Sequence, residues 1–144
     1  MSGFEEIAIG ASGDEARGAA DWLAASCRRR NVPQALAERL ALCLHEALAN
    51  VIAHGGSTAH SAPIGLLFEL KRERQSNQAS VTVSDAGIAF DPLSVPQKML
   101  PKTLGEATTG GLGLVMMRRC SDRLDYRHEG GRNHLTFGVL WNSK

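Results

Sequence analysis

No stretch of this sequence approaches the roughly 20 consecutive apolar residues that a membrane-spanning helix needs. Its opening, MSGFEEIAIGASGDEARG, lacks the basic start and apolar run of a secretory signal. Insertion and secretion therefore have no signal, and a cytoplasmic location is expected. An excess of charge of one sign is missing too. Lys plus Arg number 16 against 15 Asp plus Glu, a formal net charge of +1, so no global field makes nucleic acid or an anionic membrane the default partner. Cysteine is scarce: Cys27, Cys43 and Cys120 are odd in number, far apart and without a C-x-x-C pair. Neither a disulfide framework nor a zinc knuckle is indicated, and the three read as core thiols. Internal repeats, low-complexity tracts and dividing linkers are absent as well. What remains is 144 residues, 43% of them hydrophobic. That is one domain, residues 1–144, able to bury roughly two thirds of the surface its unfolded chain exposes.

Periodicity then organises the chain. Phe4 to Ile9 is short and apolar, an edge strand. Over 14–30, Ala20, Leu23, Ala24 and Cys27 recur at three- and four-residue spacings, with Asp14 and Glu15 at the start and Arg28, Arg29 and Arg30 at the end. This is an amphipathic helix with charges suited to its dipole. The three arginines could form a phosphate patch, although helix ends collect basic residues in any case. A second helix is predicted over Gln34–His54, where Leu36, Leu40, Leu44, Leu48 and Ile52 fall four apart, and Gly55-Gly56 stops it. Alternation in Ile64, Leu66, Phe68 and Leu70, and then in Val81 and Val83, predicts a β-hairpin. From 87 to 110 periodicity disappears and Pro92, Pro96 and Pro101 interrupt the chain; a loop of that length is usually functional or disordered. A helix over 112–120 follows, then a strand over 124–128, the turn Glu129-Gly130-Gly131-Arg132, and a last strand alternating Leu135, Phe137, Val139 and Trp141. Without a βαβ rhythm, this order fits an α/β (α+β) two-layer fold, a mostly antiparallel sheet with its helices on one face.

Three stretches hold polar residues where the pattern wants apolar ones. On the second helix Glu46, Asn50 and His54 recur every four residues, roughly 160 to 200° around from the leucine face at about 100° per residue. Eight residues separate Glu46 from His54, about 12 Å of helix. The stripe is either the helix's wet side or a site, and its neighbours Ala47, Ala49, Val51 and Ala53 favour the site. An Asn amide oxygen suits a hard cation such as Mg²⁺, and a Glu one turn away can accept a proton from a hydroxyl or a water. His45-Glu46 begins the zinc-hydrolase pattern H-E-x-x-H, but Ala49 stands where its second histidine would be. In the second stretch, VTVSDAGIAFDP, a strand ends in Asp85. That residue is either a turn former or a carboxylate at a cleft floor, which pairs with the exocyclic amine of adenine and not with the carbonyl of guanine. Gly87 would let backbone approach such a ring closely. In the third, ATTGGLGLVMM, Gly110, Gly111 and Gly113 lead into a helix, where backbone N–H groups form an anion site. No Gly-Lys-Ser/Thr follows to make a Walker loop. Met116 and the preceding loop likewise exclude a Rossmann fingerprint.

Taken in order, E-x-x-x-N-x-x-x-H on a helix, D-x-G-x-x-F-D after a strand, a long loop, and G-G-L-G-L opening a helix resemble the ATP-binding fold shared by gyrase, heat-shock chaperone, histidine-kinase and MutL proteins. Within it, FDP, GGLGLVMMRRCSD and GGRNHLTF resemble the bacterial anti-sigma regulatory factors of the RsbW type, which are serine/threonine-protein kinases. The resemblance implies a two-layer sandwich with a mixed sheet, and ATP with Mg²⁺ as cofactors. It implies Asn50 as the magnesium ligand and Glu46 as the base that polarises the attacking serine hydroxyl. Asp85 would hold the adenine amine with Gly87 close under the ring. Gly110, Gly111 and Gly113 would contact the phosphates beneath a lid over 90–109, and Thr136, in NHLTF, would help fix adenine. The implied partners are a STAS-type antagonist, phosphorylated on serine or threonine, and a sigma factor or other regulator that is sequestered; a homodimer would suit the family. One departure concerns the lid. Family members with good kinase activity tend to carry an arginine there, whereas between Asp85 and Gly110 this chain has only Lys98 and Lys102 as cations. Lysine lacks the bidentate fork that suits a transferred phosphoryl group. ATP-dependent partner binding without transfer is therefore the alternative activity.

Overall fold

A computed structural model describes residues 2–54, 56–89, 91 and 109–142. After strand β1 (Gly3–Ile9), helix α1 (Gly13–Arg29) begins where the sequence supplies a cap. Ser12, in extended backbone, accepts the Glu15 N–H at 3.2 Å, and the Glu15 carboxylate reaches back to the Gly10 N–H at 3.1 Å, so a donor that a helix start leaves without a partner is satisfied. The helix stops at Asn31, whose φ of 58° a short polar side chain tolerates, and the Val32 N–H returns to the Cys27 carbonyl at 3.0 Å. This tucks Val32 into the core and turns the chain directly into α2 (Gln34–His54). A short helix, α3 (Gly56–Ser61), then follows. Its six residues, GSTAHS, carry no apolar repeat, which is why periodicity does not reveal it.

The predicted hairpin is β2 (Ile64–Arg72) with β3 (Ser76–Asp85). Helix α4 (Thr109–Cys120) starts ahead of the predicted position 112, so that Gly110, Gly111 and Gly113 lie inside it. The second hairpin joins β4 (Arg123–Glu129) to β5 (Arg132–Asn142) through Gly130 and Gly131, at φ 63° and 74°. A two-residue turn with both residues in the left-handed region matches the twist of its strands.

The sheet order is β1-β2-β3-β5-β4, and every pairing between described strands is antiparallel. The mixed sheet implied by resemblance is thereby corrected. β3 and β4, joined through α4, do run the same way, but β5 inserts between them and opposes both. One face carries Leu66, Phe68, Val81, Val83, Phe137 and Val139 against Leu23 of α1, Leu40, Leu44 and Leu48 of α2, and Met117 of α4. Residues alternating to the other face, such as Leu67, Thr82 and Thr136, are only half-buried. No helix among the described residues is long and apolar enough to cross a membrane.

The cysteines are free, and Cys27 and Cys43 lie in the core. Burial pushes their thiols up to about 11 and about 12 respectively, which makes them unreactive. Two of the three arginines at the end of α1 also have a structural task. Arg29 and Arg30 pair with Glu5 of β1, and the Ser26 hydroxyl donates to the same carboxylate at 3.1 Å. Glu5 lies opposite Phe68 in register, an inward-facing charge on an edge strand, a device that discourages edge-to-edge aggregation. Burial by itself would raise this carboxyl, but the hydrogen bonds from Arg29 and Ser26 and the Arg29 charge outweigh it and hold the group below the ordinary range. A carboxylate lowered on folding adds stability that is present above its unfolded value and lost as pH falls through the folded one. Glu5→Gln is therefore expected to cost up to about 1 kcal/mol in urea unfolding at pH 7. The gap from wild type should close as the pH drops below about 4.3, the ordinary Glu value. A pH-independent gap would mean that packing, not charge, is what the substitution removes.

Candidate functional site

Helix α2 crosses α4 antiparallel. Arg39 Nε donates to the Cys120 carbonyl at 2.7 Å and its Nη2 to Asp122 at 3.2 Å, while the Cys43 sulphur lies 3.9 Å from the Met117 carbonyl. At about 1.5 Å of rise per residue in both helices, that register brings Asn50 level with Gly110, in the first turn of α4. Asn50 is also close to two full turns beyond Cys43, so it lies on the same side of α2, the side that meets α4. Glu46 precedes it by one turn, and both are half-buried. The amide oxygen of Asn50, Oδ1, is buried and has no hydrogen-bond partner among the described residues. Leaving such a group unpaired costs roughly 1–3 kcal/mol, so Asn50 is not part of a wet helix face. An oxygen so placed is the donor type a hard cation takes. The side chain of His54 lies outside the described residues.

Opposite Asn50, Gly110 and Gly111 occupy the first turn of α4 and Gly113 the next. First-turn N–H groups have no acceptor within their own helix and carry its positive pole. Glycine there leaves no side chain between those groups and an anion.

Asp85 ends β3 and is 6% exposed. Its Oδ1 accepts the Gly87 N–H at 2.9 Å and the Asn133 amide Nδ2 at 3.2 Å. Its Oδ2 has no partner among the described residues. One oxygen thus shapes the turn, as the turn-former reading has it, and the other is left as an acceptor. Gly87, two residues on, is buried. The next residue, Ile88, lies 3.2 Å from where a Cβ on Gly56 would sit, so the strand end reaches the C-terminal end of α2. Asn50, the start of α4 and Asp85 therefore converge on one end of the molecule.

Thr136 is not brought there. Its hydroxyl lies 2.7 Å from that of Thr82, its register partner, on the face that alternates away from the core. The residue of β5 that faces Asp85 is Asn133, its register partner, 7% exposed. Besides Asp85, its Nδ2 reaches the Ile88 carbonyl at 2.9 Å and the Gly87 carbonyl at 3.4 Å, and its Oδ1 accepts the Tyr126 hydroxyl. The signal was in the alternation itself: Asn133 continues the core row of Leu135, Phe137 and Val139, and Thr136 is off it. Lys98 and Lys102, and the expected lid apart from Asp91 and Thr109, lie outside the described residues.

A carboxylate acceptor, an amide oxygen without a partner among the described residues and a glycine-rich helix start are the kinds of group that a base, a cation and a phosphate would each take. The family described as the histidine kinase-like ATPase domain matches residues 9–139. The chain belongs to that family. This ATPase domain is 34% identical over 115 residues to the serine/threonine-protein kinase BtrW of Bordetella bronchiseptica, covering 80% of this chain and 78% of that protein. Among solved structures it superposes on part of a chain holding the RsbU and RsbW domains of a Mycobacterium tuberculosis protein, with a TM-score of 0.70 at 15% identity, over 99% of this chain and 33% of that one. It also superposes on a chain of the SiaB-SiaC complex from Pseudomonas aeruginosa, with a TM-score of 0.54 at 13% identity, over 95% and 89%. At such identities those two likenesses are of fold. The resemblance to RsbW-type factors carried by the motifs is thus met twice, by a kinase relative in sequence and by an RsbW domain in architecture.

Proposed function

We propose that this ATPase domain is a serine/threonine-protein kinase of the anti-sigma-factor type, which phosphorylates a STAS-type antagonist and sequesters a sigma factor or another regulator. The observation that carries the reading is Asn50 Oδ1, a buried oxygen without a partner among the described residues, one turn from a carboxylate and level with the start of α4. Asn50 would hold Mg²⁺, Asp85 the adenine amine, and the Gly110, Gly111 and Gly113 backbone the phosphates. Mg-ATP, when bound, would supply the electrophilic phosphoryl group and leave as ADP. Glu46 accepts the proton of the incoming serine or threonine hydroxyl, a general-base role that its half-buried place on α2 suits. The α4 start would hold the phosphate charge, since phosphoryl transfer is largely a matter of positioning and electrostatics. A relative that is itself a serine/threonine-protein kinase supports this over other uses of the fold.

The absence of arginine between Asp85 and Gly110 favours a second reading, in which nucleotide switches partner affinity without transfer. Titration of the protein with ATP in a calorimeter, with and without Mg²⁺, combined with radiolabel transfer from ATP to a cognate STAS protein, separates the two. We expect Mg²⁺-dependent binding and transfer. In Asn50→Ala the affinity should fall about 10- to 100-fold, the loss of one charge-assisted contact, and its Mg²⁺ dependence should go. Binding without transfer would favour the switch, and no binding of any adenine nucleotide would end both readings.

A further inference from the structure

We infer that Asn133, held in one orientation by Tyr126, is the positioning residue that sets Asp85 for adenine and against guanine. The inference rests on the reading of Asp85 as the base-binding carboxylate. A carboxylate turns easily about its last torsion, whose profile is broad and two-fold. Its value as a selector therefore depends on what stops it turning. Two donors do so here, the Gly87 N–H at 2.9 Å and Asn133 Nδ2 at 3.2 Å, and both fall on Oδ1. That leaves Oδ2 as the acceptor on this carboxylate.

An asparagine amide could itself sit either way round, and the surroundings decide which. Three oxygens converge on one end, Asp85 Oδ1, the Gly87 carbonyl at 3.4 Å and the Ile88 carbonyl at 2.9 Å, and only the NH₂ end can meet them. On the other side the Tyr126 hydroxyl donates, which only the oxygen end can accept. Tyr126 belongs to β4, beyond β5, and its ring packs against the core. The orientation is thus imposed from the edge of the sheet inward, through β5, to the carboxylate at the end of β3. An acceptor that cannot turn away presents its lone pairs to whatever base enters. The adenine amine donates to it, and the guanine carbonyl meets it oxygen to oxygen. Selection against guanine is then a repulsion built into the floor.

The test is the ratio of ATP to GTP affinity, measured by calorimetry on wild type, Asn133→Leu and Tyr126→Phe, with thermal unfolding of each. Wild type should prefer ATP. Tyr126→Phe removes only the hydroxyl, and should lower ATP affinity about 3- to 10-fold, the worth of one neutral hydrogen bond, while the preference for ATP narrows. Asn133→Leu should narrow it further. A residue with a purely structural task would weaken both nucleotides alike or lower the unfolding temperature without moving the ratio. If the ratio in the folded variants, Tyr126→Phe above all, stays within about 2-fold of wild type, below the smallest loss of affinity just set, the inference is wrong although the nucleotide site stands. If wild type binds neither nucleotide, the reading of Asp85 falls first and the inference with it.

Discussion

Asp85→Asn is expected to weaken ATP binding about 100-fold while the protein stays folded. The substitution keeps the shape of the side chain, and its single oxygen can still take the Gly87 N–H and the Asn133 amide, so the turn after β3 survives. What changes is the atom in the place of Oδ2. A charged acceptor becomes an NH₂ group, and a donor then faces the adenine amine, itself a donor. Losing a hydrogen bond to a charged group is worth roughly 1.5–3 kcal/mol, and each 1.4 kcal/mol is tenfold in affinity. The same NH₂ can donate to the carbonyl of guanine, so GTP should gain relative to ATP. Calorimetry with both nucleotides, beside an unfolding curve to show that the fold is intact, measures all of this. An ATP affinity equal to wild type would remove Asp85 from the base site.

The second large effect concerns chemistry and leaves binding alone. Glu46→Gln should reduce phosphoryl transfer at saturating ATP by about 10²- to 10⁴-fold, the usual range for a general base. Binding of ATP should change little. Glutamine fills the same half-buried position and can still hydrogen-bond a hydroxyl, but it cannot take a proton from it. Asn50, one turn on, keeps its place on the face of α2 that meets α4. Single-turnover transfer to a purified partner isolates the step. A Glu46→Gln rate equal to wild type would assign the base elsewhere, and a loss of ATP affinity of similar size would make Glu46 a binding residue instead.

Much of this arrangement was legible beforehand, and the parts that were not share a cause. The leucines of α2, the β2–β3 hairpin and the paired glycines before Arg132 each announce themselves within a few residues, because period and turn chemistry are local. Glu46 and Asn50 were legible for the same reason, as polar residues at helical spacing among alanines. The short α3 has no repeat to announce it. The sheet order was not legible either, since inserting β5 between β3 and β4 depends on which edges are free once α4 has packed, and no local pattern records that. Thr136 lies away from Asp85 for a different reason. Its assignment came from the likeness of NHLTF to a family motif, whereas the strict alternation of a strand puts Asn133 on the core row with Leu135 and Phe137. The setting of Asn50 needed the structure, because only tertiary packing puts its oxygen out of water and without a donor among the described residues.

The place of β5 also bears on how the molecule comes into being on the ribosome. β3 is synthesised well before β5, and until β5 arrives one edge of β3, with Val81 and Val83 on its apolar side, has no strand to pair with. A nascent chain at that stage exposes a ready template for wrong association. Asp85 at the same stage has its turn but lacks Asn133, since the two residues that meet across the sheet are 48 positions apart. Threading β5 into the middle of the sheet therefore ties the completion of the sheet to the arrival of Asn133 beside Asp85. Truncated chains would be deprived of both at once.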